Sequence, residues 1–214
     1  PHITQHLLGF KPVEYVEVTE DGQYFDTGIP IKGSSFLNVT AAFEFYRPNN
    51  NARFDCGAEE SWTANIWRFV NLLQKDDGQY AKTWFRAGKT VASASTVNSS
   101  NLVGQIAATI SGRTCSLTNK TTQKTYSISG GYGTQSLNDV PGTLHVLGSG
   151  YGEGYSSASN KGVRLYYFRF NGADGNKVDL IPVSVNGTGA LFDRVSGIIL
   201  YNGGPGLCST GCPV

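Results

Sequence analysis

Residues Val163–Val183 read VRLYYFRFNGADGNKVDLIPV, and the alternation in this stretch decides the fold class. Tyr166, Phe168 and Phe170 fall on one side, and Leu165, Tyr167 and Arg169 on the other. A period of two is the signature of a strand with one buried face. Asp174-Gly175 separates this run from Val178–Val183 and reads as a hairpin turn. Outward from here the pattern recurs. In Ser35–Tyr46, Leu37, Val39, Ala41, Phe43 and Phe45 alternate with Asn38, Thr40 and Glu44. In Gly104–Gly112, Ile106, Ala108 and Ile110 point inward. Shorter strand candidates are Val13–Val18, Tyr24–Thr27, Arg53–Gly57, Ile66–Leu73, Thr83–Arg86, Thr90–Ala94, Thr114–Leu117, Lys124–Ser129, Thr143–Leu147, Ala190–Asp193 and Ile198–Tyr201. No segment carries a sustained helical stripe, and Ser61–Ile66 is the one candidate for a short helix. Many short strands punctuated by Gly, Asn, Asp and Pro predict an all-β sandwich or barrel. Ser93–Asn101 and Gly148–Gly162, poor in large apolar residues, read as exposed loops.

The chain has 214 residues, suited to one domain. Charged residues make up 15%, against about 25% in ordinary soluble domains. A net charge of +1 gives no basic excess for nucleic acid. No run approaches the roughly 20 apolar residues of a membrane span. With 39% hydrophobic and 12% aromatic residues, a packed core is expected rather than disorder.

Four cysteines, Cys56, Cys115, Cys208 and Cys212, permit two disulfides. The expected pairs are Cys208–Cys212, closing a small loop, and Cys56–Cys115; the alternative for the second pair is two buried thiols. Zinc would want paired C-x-x-C or Cys/His clusters, which this spacing does not supply. Disulfides place the chain in an oxidising, extracellular setting or at a cell surface.

Three stretches resemble a known family. They are VEYVEVTEDGQYFDTGI (Val13–Ile29), the Val163–Val183 hairpin, and ALFDRVSGIILYNGG (Ala190–Gly204). Together they resemble the concanavalin A-like, LamG-type jelly-roll modules of secreted and surface proteins, chiefly bacterial. The resemblance implies a two-sheet antiparallel jelly-roll sandwich whose first and last strands are neighbours. It also implies structural roles for Asp26-Thr27-Gly28, Asp179 and Asp193, and a module of a kind that often binds glycans, sometimes with calcium. Residues 32–161 match no pattern of that family.

Sugar recognition needs aromatic faces for C–H surfaces, with amides and carboxylates for hydroxyls. The candidates are Trp62, Tyr151 and Tyr155 for stacking, and Glu59, Asn65 and Glu153 for hydroxyls. Trp67 lies in an apolar run and reads as core. No cofactor is required by the sequence, and calcium is the one that the resemblance leaves open. Its acidic turns, Asp76-Asp77-Gly78 and Asn171–Asn176, lack the D-x-D-x-D spacing of a loop site. The E-x-D-x-x-E strand motif by which jelly-roll glucanases resemble one another is absent, so a glycoside hydrolase or lyase is only the minor alternative. Glu14, Glu17 and Glu20 step by three, which in one strand turns Glu14 and Glu17 to opposite faces. Ala87-Gly88-Lys89-Thr90 ends like a phosphate loop, but Thr83 stands where that loop needs Gly.

The domain organisation expected is an N-terminal arm (residues 1–12), a jelly-roll domain (13–204) and a Cys-containing tail (205–214). The functional expectation is a non-catalytic, secreted or cell-surface binding or adhesion module directed at glycans or surface polysaccharide. The alternative is a self-assembling extracellular subunit, such as a pilus-like fibre, joined by self-association through Pro1–Phe10. That arm carries Ile3, Leu7, Leu8 and Phe10.

Overall fold

The structure is a computed structural model. It describes residues 9–31, 38–46, 53–59, 66–74, 80–87, 91–98, 104–111, 114–129, 140–151, 154–156, 160–172 and 174–214, with the backbone alone along much of 58–98 and 149–156. The strands are β1 (Lys11–Pro12), β2 (Val16–Glu17), β3 (Phe25–Ile31), β4 (Asn38–Phe45), β5 (Arg53–Glu59), β6 (Ile66–Gln74), β7 (Tyr80–Ala87), β8 (Val91–Asn98), β9 (Gln105–Ser111), β10 (Thr114–Asn119), β11 (Thr125–Ser129), β12 (Val140–Val146), β13 (Gly148–Tyr151), β14 (Gly154–Ser156), β15 (Val163–Asn171), β16 (Lys177–Val185), β17 (Thr188–Asp193), β18 (Ile199–Leu200) and β19 (Ser209–Thr210). No helix occurs among the described residues, and residues 61–65 of the helix candidate lie outside them.

Two sheets form. The large one runs β11-β10-β9-β4-β15-β16-β17-β18, with β1, β2 and β19 attached; the small one runs β14-β13-β5-β6-β7-β8, with β12 and β3 attached. Pairing is antiparallel except between β13 and β5. The alternation seen in the sequence becomes the core. Phe170, Val39, Ile110 and Cys115 sit at successive register positions across β15, β4, β9 and β10, all buried. From the small sheet, Phe25, Phe54, Cys56, Leu144 and Val146 meet them in the same cluster. Phe43 of β4 stacks on Phe54 of β5 with centroids 4.1 Å apart, joining the two layers.

The first described residues and the end of the chain both belong to this sheet system. Lys11 and Pro12 pair with Ser184 and Val183, and Phe10 packs on Phe192 at 4.7 Å. Ser209 and Thr210 pair with Glu17 and Val16, and Val13 bridges to Pro213. The described part of the arm therefore folds back on its own chain, the tail is a strand of the large sheet, and the last strand pairs with β2, the second, rather than with β1. Residues 1–8, with Ile3, Leu7 and Leu8, lie outside the described residues.

Buried amides tie the ends to the middle. Asn160 accepts a hydrogen bond from the Gly22 N–H (3.0 Å) and donates to the carbonyls of Gln23 and Leu147 (2.6 Å to Leu147). Gln23 accepts from the Thr19 N–H at 2.8 Å and donates to the Pro205 carbonyl at 2.8 Å. Asn202 accepts from the N–H groups of Tyr24 and Gly204. Asp193 accepts from the N–H groups of Asp179, Val195 and Ser196, while Asp179 pairs with Arg169 and Arg194. Asp193 and Asp179 thus anchor strand ends, the role the resemblance implies. Asp26-Thr27-Gly28 lies inside β3 rather than in a separate turn. There Asp26 accepts from the Gly28 N–H, and Gly28 takes φ +69°, a conformation that suits glycine.

Two loop expectations fail. Most of Ser93–Asn101 is strand β8, and Gly148–Gly162 contains β13, β14 and the buried Asn160. Backbone pairing to neighbouring strands overrides the polar composition of these stretches.

The cysteine pairs also differ from expectation. None of the four is bridged: Cys56, Cys115 and Cys208 are buried and Cys212 is exposed. Cys56 and Cys115 belong to different sheets, packed as small apolar groups. Cys208 turns inward to within 3.5 Å of Gln23 Oε1 and not toward Cys212. Burial pushes the thiols of Cys115 and Cys208 up to about 12, which keeps them protonated and unreactive. Iodoacetamide on the native chain is therefore expected to alkylate Cys212 alone, and all four cysteines after denaturation. Intact and peptide mass spectrometry reads this, and absence of native labelling at Cys212 would restore the bridge.

Candidate functional site

The outer face of the large sheet carries a cluster of aromatic and charged side chains. It is built by register. Arg164 of β15 stands opposite Glu17 of β2 on one side and Glu44 of β4 on the other. Its Nε donates to Glu17 Oε2 at 2.8 Å, and its Nη1 lies 3.9 Å from Glu44 Oε2. The guanidinium is held between two rings, 3.1 Å from the Tyr46 centroid and 4.1 Å from that of Tyr15. Tyr166 donates its hydroxyl to Glu44 Oε2 at 2.6 Å and meets Tyr15 edge-on at 5.7 Å.

Tyr166 reaches this cluster because the strand breaks its own alternation. A register shift between Leu165 and Tyr167 inserts one residue against β4. Such a bulge changes which face the following side chains take. Leu165 and Phe168 are both buried in the core, so Tyr166 is not on the Phe168–Phe170 side as strict alternation predicts. Val13–Val18 is likewise not one strand. It is an isolated bridge at Val13 followed by the two-residue β2, and this lets Glu14 lie near the Tyr15 and Tyr166 hydroxyls.

Electrostatics keep the phenols as donors. Burial raises the pKa of Tyr166, and the hydrogen bond and charge of Glu44 raise it further. Burial also raises that of Tyr15, against the opposing pull of Arg164. Burial disfavours the charge on Arg164, but its hydrogen bond to Glu17 and that residue's charge outweigh this and hold the guanidinium protonated. The result is a fixed array of rings, phenol donors and carboxylate acceptors, and Tyr46 is 40% exposed at its rim. Rings with hydrogen-bonding groups at their edges suit a ligand with an apolar face and several hydroxyls.

Of the residues singled out in the sequence, Glu59, Tyr151 and Tyr155 belong to strands of the small sheet. Trp62, Asn65 and Glu153 fall outside the described residues. Glu59 and Tyr151 occupy facing register positions on β5 and β13, so the fold brings together two residues far apart in sequence. Tyr155 stands opposite Gly150, one register step away. Of the acidic turns, 75–79 lies outside the described residues, and Asp174 serves its own turn by accepting from the Asn176 N–H. Among the described residues no group of three or more His, Cys, Asp or Glu could hold a metal ion. No helix long and apolar enough to cross a membrane occurs among the described residues.

Sequence reading missed Tyr15, Glu17, Glu44, Tyr46, Arg164 and Tyr166 as a group. Their one local signal is the run Leu165-Tyr166-Tyr167-Phe168, four large residues in succession that a single buried face cannot absorb. No family model and no curated protein matches the chain.

Proposed function

We propose that this chain is a non-catalytic binding module of a secreted or cell-surface protein, directed at glycans, with the two sheets arranged as a concanavalin A-like jelly roll. The observation that carries the reading is the Tyr15–Tyr46–Tyr166 array with Arg164, Glu17 and Glu44 on the outer face of the large sheet. Pairing of the last strand with β2 near the start of the chain and predominantly antiparallel sheets support the jelly roll. The extracellular placement rests on composition and on the resemblance, because the cysteines are thiols and lend it no support. Both carboxylates are engaged in holding the array, Glu17 by Arg164 and Glu44 by Tyr166, which favours binding over acid–base chemistry.

A glycan array followed by calorimetric titration of the best hit, with and without a calcium chelator, tests this. Tyr46→Ala is expected to weaken binding at least tenfold, about 1.4 kcal/mol. The double variant Trp62→Ala, Tyr151→Ala is expected to leave it unchanged. The opposite result moves the site to the residues marked in the sequence; unchanged binding in both variants rejects both locations.

Self-association is the second reading, and a specific observation favours it. Strand β18 ends the large sheet with only two residues, and Val195, Ile198, Tyr201 and Leu207 around it are exposed. An apolar edge is a template for pairing with another chain. Light scattering with negative-stain microscopy decides: fibres or a closed assembly make this edge the interface, and a monomer rejects it.

A further inference from the structure

Asn-Gly occurs in the chain at 171–172, 186–187 and 202–203, and Asp-Gly at 21–22 and 174–175 among the described residues. In such a dipeptide the glycine nitrogen can attack the preceding side-chain carbonyl carbon, because glycine has no side chain to hinder the approach. The fold treats these pairs differently. Gly172 donates its N–H to Asn176 O at 2.8 Å, Gly175 to Gly172 O at 3.1 Å, and Gly22 to the Asn160 side chain at 3.0 Å. Gly203 donates to Tyr24 O at 3.0 Å. The Asn202 amide is itself engaged, accepting from Tyr24 and Gly204 and donating to the carbonyls of Gly204, Pro205 and Gly206. Gly187 is the exception. Its N–H and the Asn186 side chain make no hydrogen bond among the described residues, and both residues are exposed. Asn186 (φ +51°) and Gly187 (φ +84°) form the two-residue turn between β16 and β17, closed by the Val185–Thr188 pair. Two successive positive φ values are those of a type I′ hairpin, which favours Asn-Gly. A Cβ on Gly187 would meet nothing within 4 Å, so the nitrogen has open surroundings.

We propose that Asn186 is a modification site: in the folded chain its side-chain amide is lost spontaneously through a cyclic imide, ahead of the other two Asn-Gly pairs. The Gly187 nitrogen bonds to Asn186 Cγ, the Cγ–Nδ2 bond breaks, and the proton given up by the N–H leaves on ammonia. Water is the co-reactant. It opens the ring at either carbonyl and leaves aspartate or isoaspartate at 186. Ring closure needs rotation of the Asn186 side chain and of the peptide that follows it. At the hairpin tip this rotation breaks no hydrogen bond made by either residue, whereas at 171 and 202 the glycine N–H must first be released. Releasing one such bond slows those sites about fivefold, and Asn202, whose amide is also engaged, more. The product alters the surface. It puts a carboxylate in the groove that Lys11 and Ser184 also line. Isoaspartate also carries the backbone through an extra methylene, which a two-residue turn does not accommodate, so the Val185–Thr188 pair opens. The proposal uses no residue of the Arg164 cluster and stands apart from the glycan reading.

Incubation of the full native chain at mildly alkaline pH, sampled over weeks and read by peptide mass spectrometry with electron-transfer fragmentation, tests the proposal. A parallel sample is held unfolded in guanidinium chloride. In the native sample, conversion at Asn186 is expected to run about fivefold or more ahead of Asn171 and Asn202, with both aspartate and isoaspartate at 186. In the unfolded sample the three sites are expected to convert at comparable rates, since each is followed by glycine. Hydrogen exchange at the Thr188 amide is expected to quicken in the aged native chain. In Asn186→Gln, whose longer side chain closes a less favourable ring, it is expected to stay as in fresh protein. The main comparison uses the wild-type chain and needs no variant to fold. Conversion at Asn171 or Asn202 as fast as at Asn186 in the native chain overturns the proposal. So does a native Asn186 that stays intact over a time in which the unfolded chain converts, because the turn would then protect the amide.

Discussion

Asn160→Ala is expected to be the most destabilising single polar substitution in the described structure. The wild-type amide satisfies the Gly22 N–H and the carbonyls of Gln23 and Leu147, and the residue is fully buried. Alanine leaves one donor and two acceptors without their partner in a place water does not reach. Each such loss costs about 1–3 kcal/mol, and members of one network do not add fully. A total of about 3–6 kcal/mol follows, a large part of the roughly 5–15 kcal/mol that holds a domain together. For a chain of this size each kcal/mol shifts Tm by about 2–4 °C, so a fall of about 10–15 °C is expected in thermal melts. Asn160→Asp keeps an acceptor for Gly22 but loses both donors and buries a charge, so it is expected to fall at least as far. A fall below about 3 °C in the alanine variant would show that the three segments hold without the amide.

The same residue shows what the sequence could and could not reveal. Ile106, Ala108 and Ile110, or Val39, Ala41 and Phe43, announce their faces because each strand carries its own alternation, and the structure buries them as expected. Asn160 sits in a Gly- and Ser-rich stretch, and nothing local distinguishes an amide that clasps three segments from one facing water. Its partners at 22–23 lie far away in sequence, so its role exists only once the ends of the chain are in place. Tyr166 fails for a related reason. Alternation assigns it a face, but the bulge that reverses the assignment is a property of the pairing between β15 and β4, not of β15 alone. The Arg164 cluster draws from β2, β4 and β15, whose adjacency is a matter of topology, and no spacing rule joins positions 17, 44 and 164. The cysteines erred in the opposite direction. An even count suggested pairing, yet three of the four thiols are enclosed by core residues that already satisfy them as apolar groups.

Phe43→Ala tests the other main element, the contact between the layers. Phe43 is fully buried on β4 of the large sheet, stacked on Phe54 of the small sheet at 4.1 Å and edge-on to Phe45 at 5.6 Å. Truncation removes the ring's transfer free energy and opens a cavity that the flanking strands, pinned by their ladders on both sides, cannot collapse to fill. The expected cost is about 3–5 kcal/mol. Phe43→Leu keeps most of the volume and is expected to cost less than half as much. The pair discriminates packing from backbone effects, because both variants leave the β4 ladder to β9 and β15 untouched. Urea titrations should show both variants with a lower midpoint and an unchanged slope. The position also bears on the binding face, since Glu44 is the next residue and projects to the opposite side of the same strand. If binding belongs to the outer face as a rigid array, Phe43→Leu binds glycan as tightly as wild type at temperatures where it is fully folded. A loss of affinity in that variant would mean that the array is set by the interior packing as well as by its own ion pairs and hydrogen bonds.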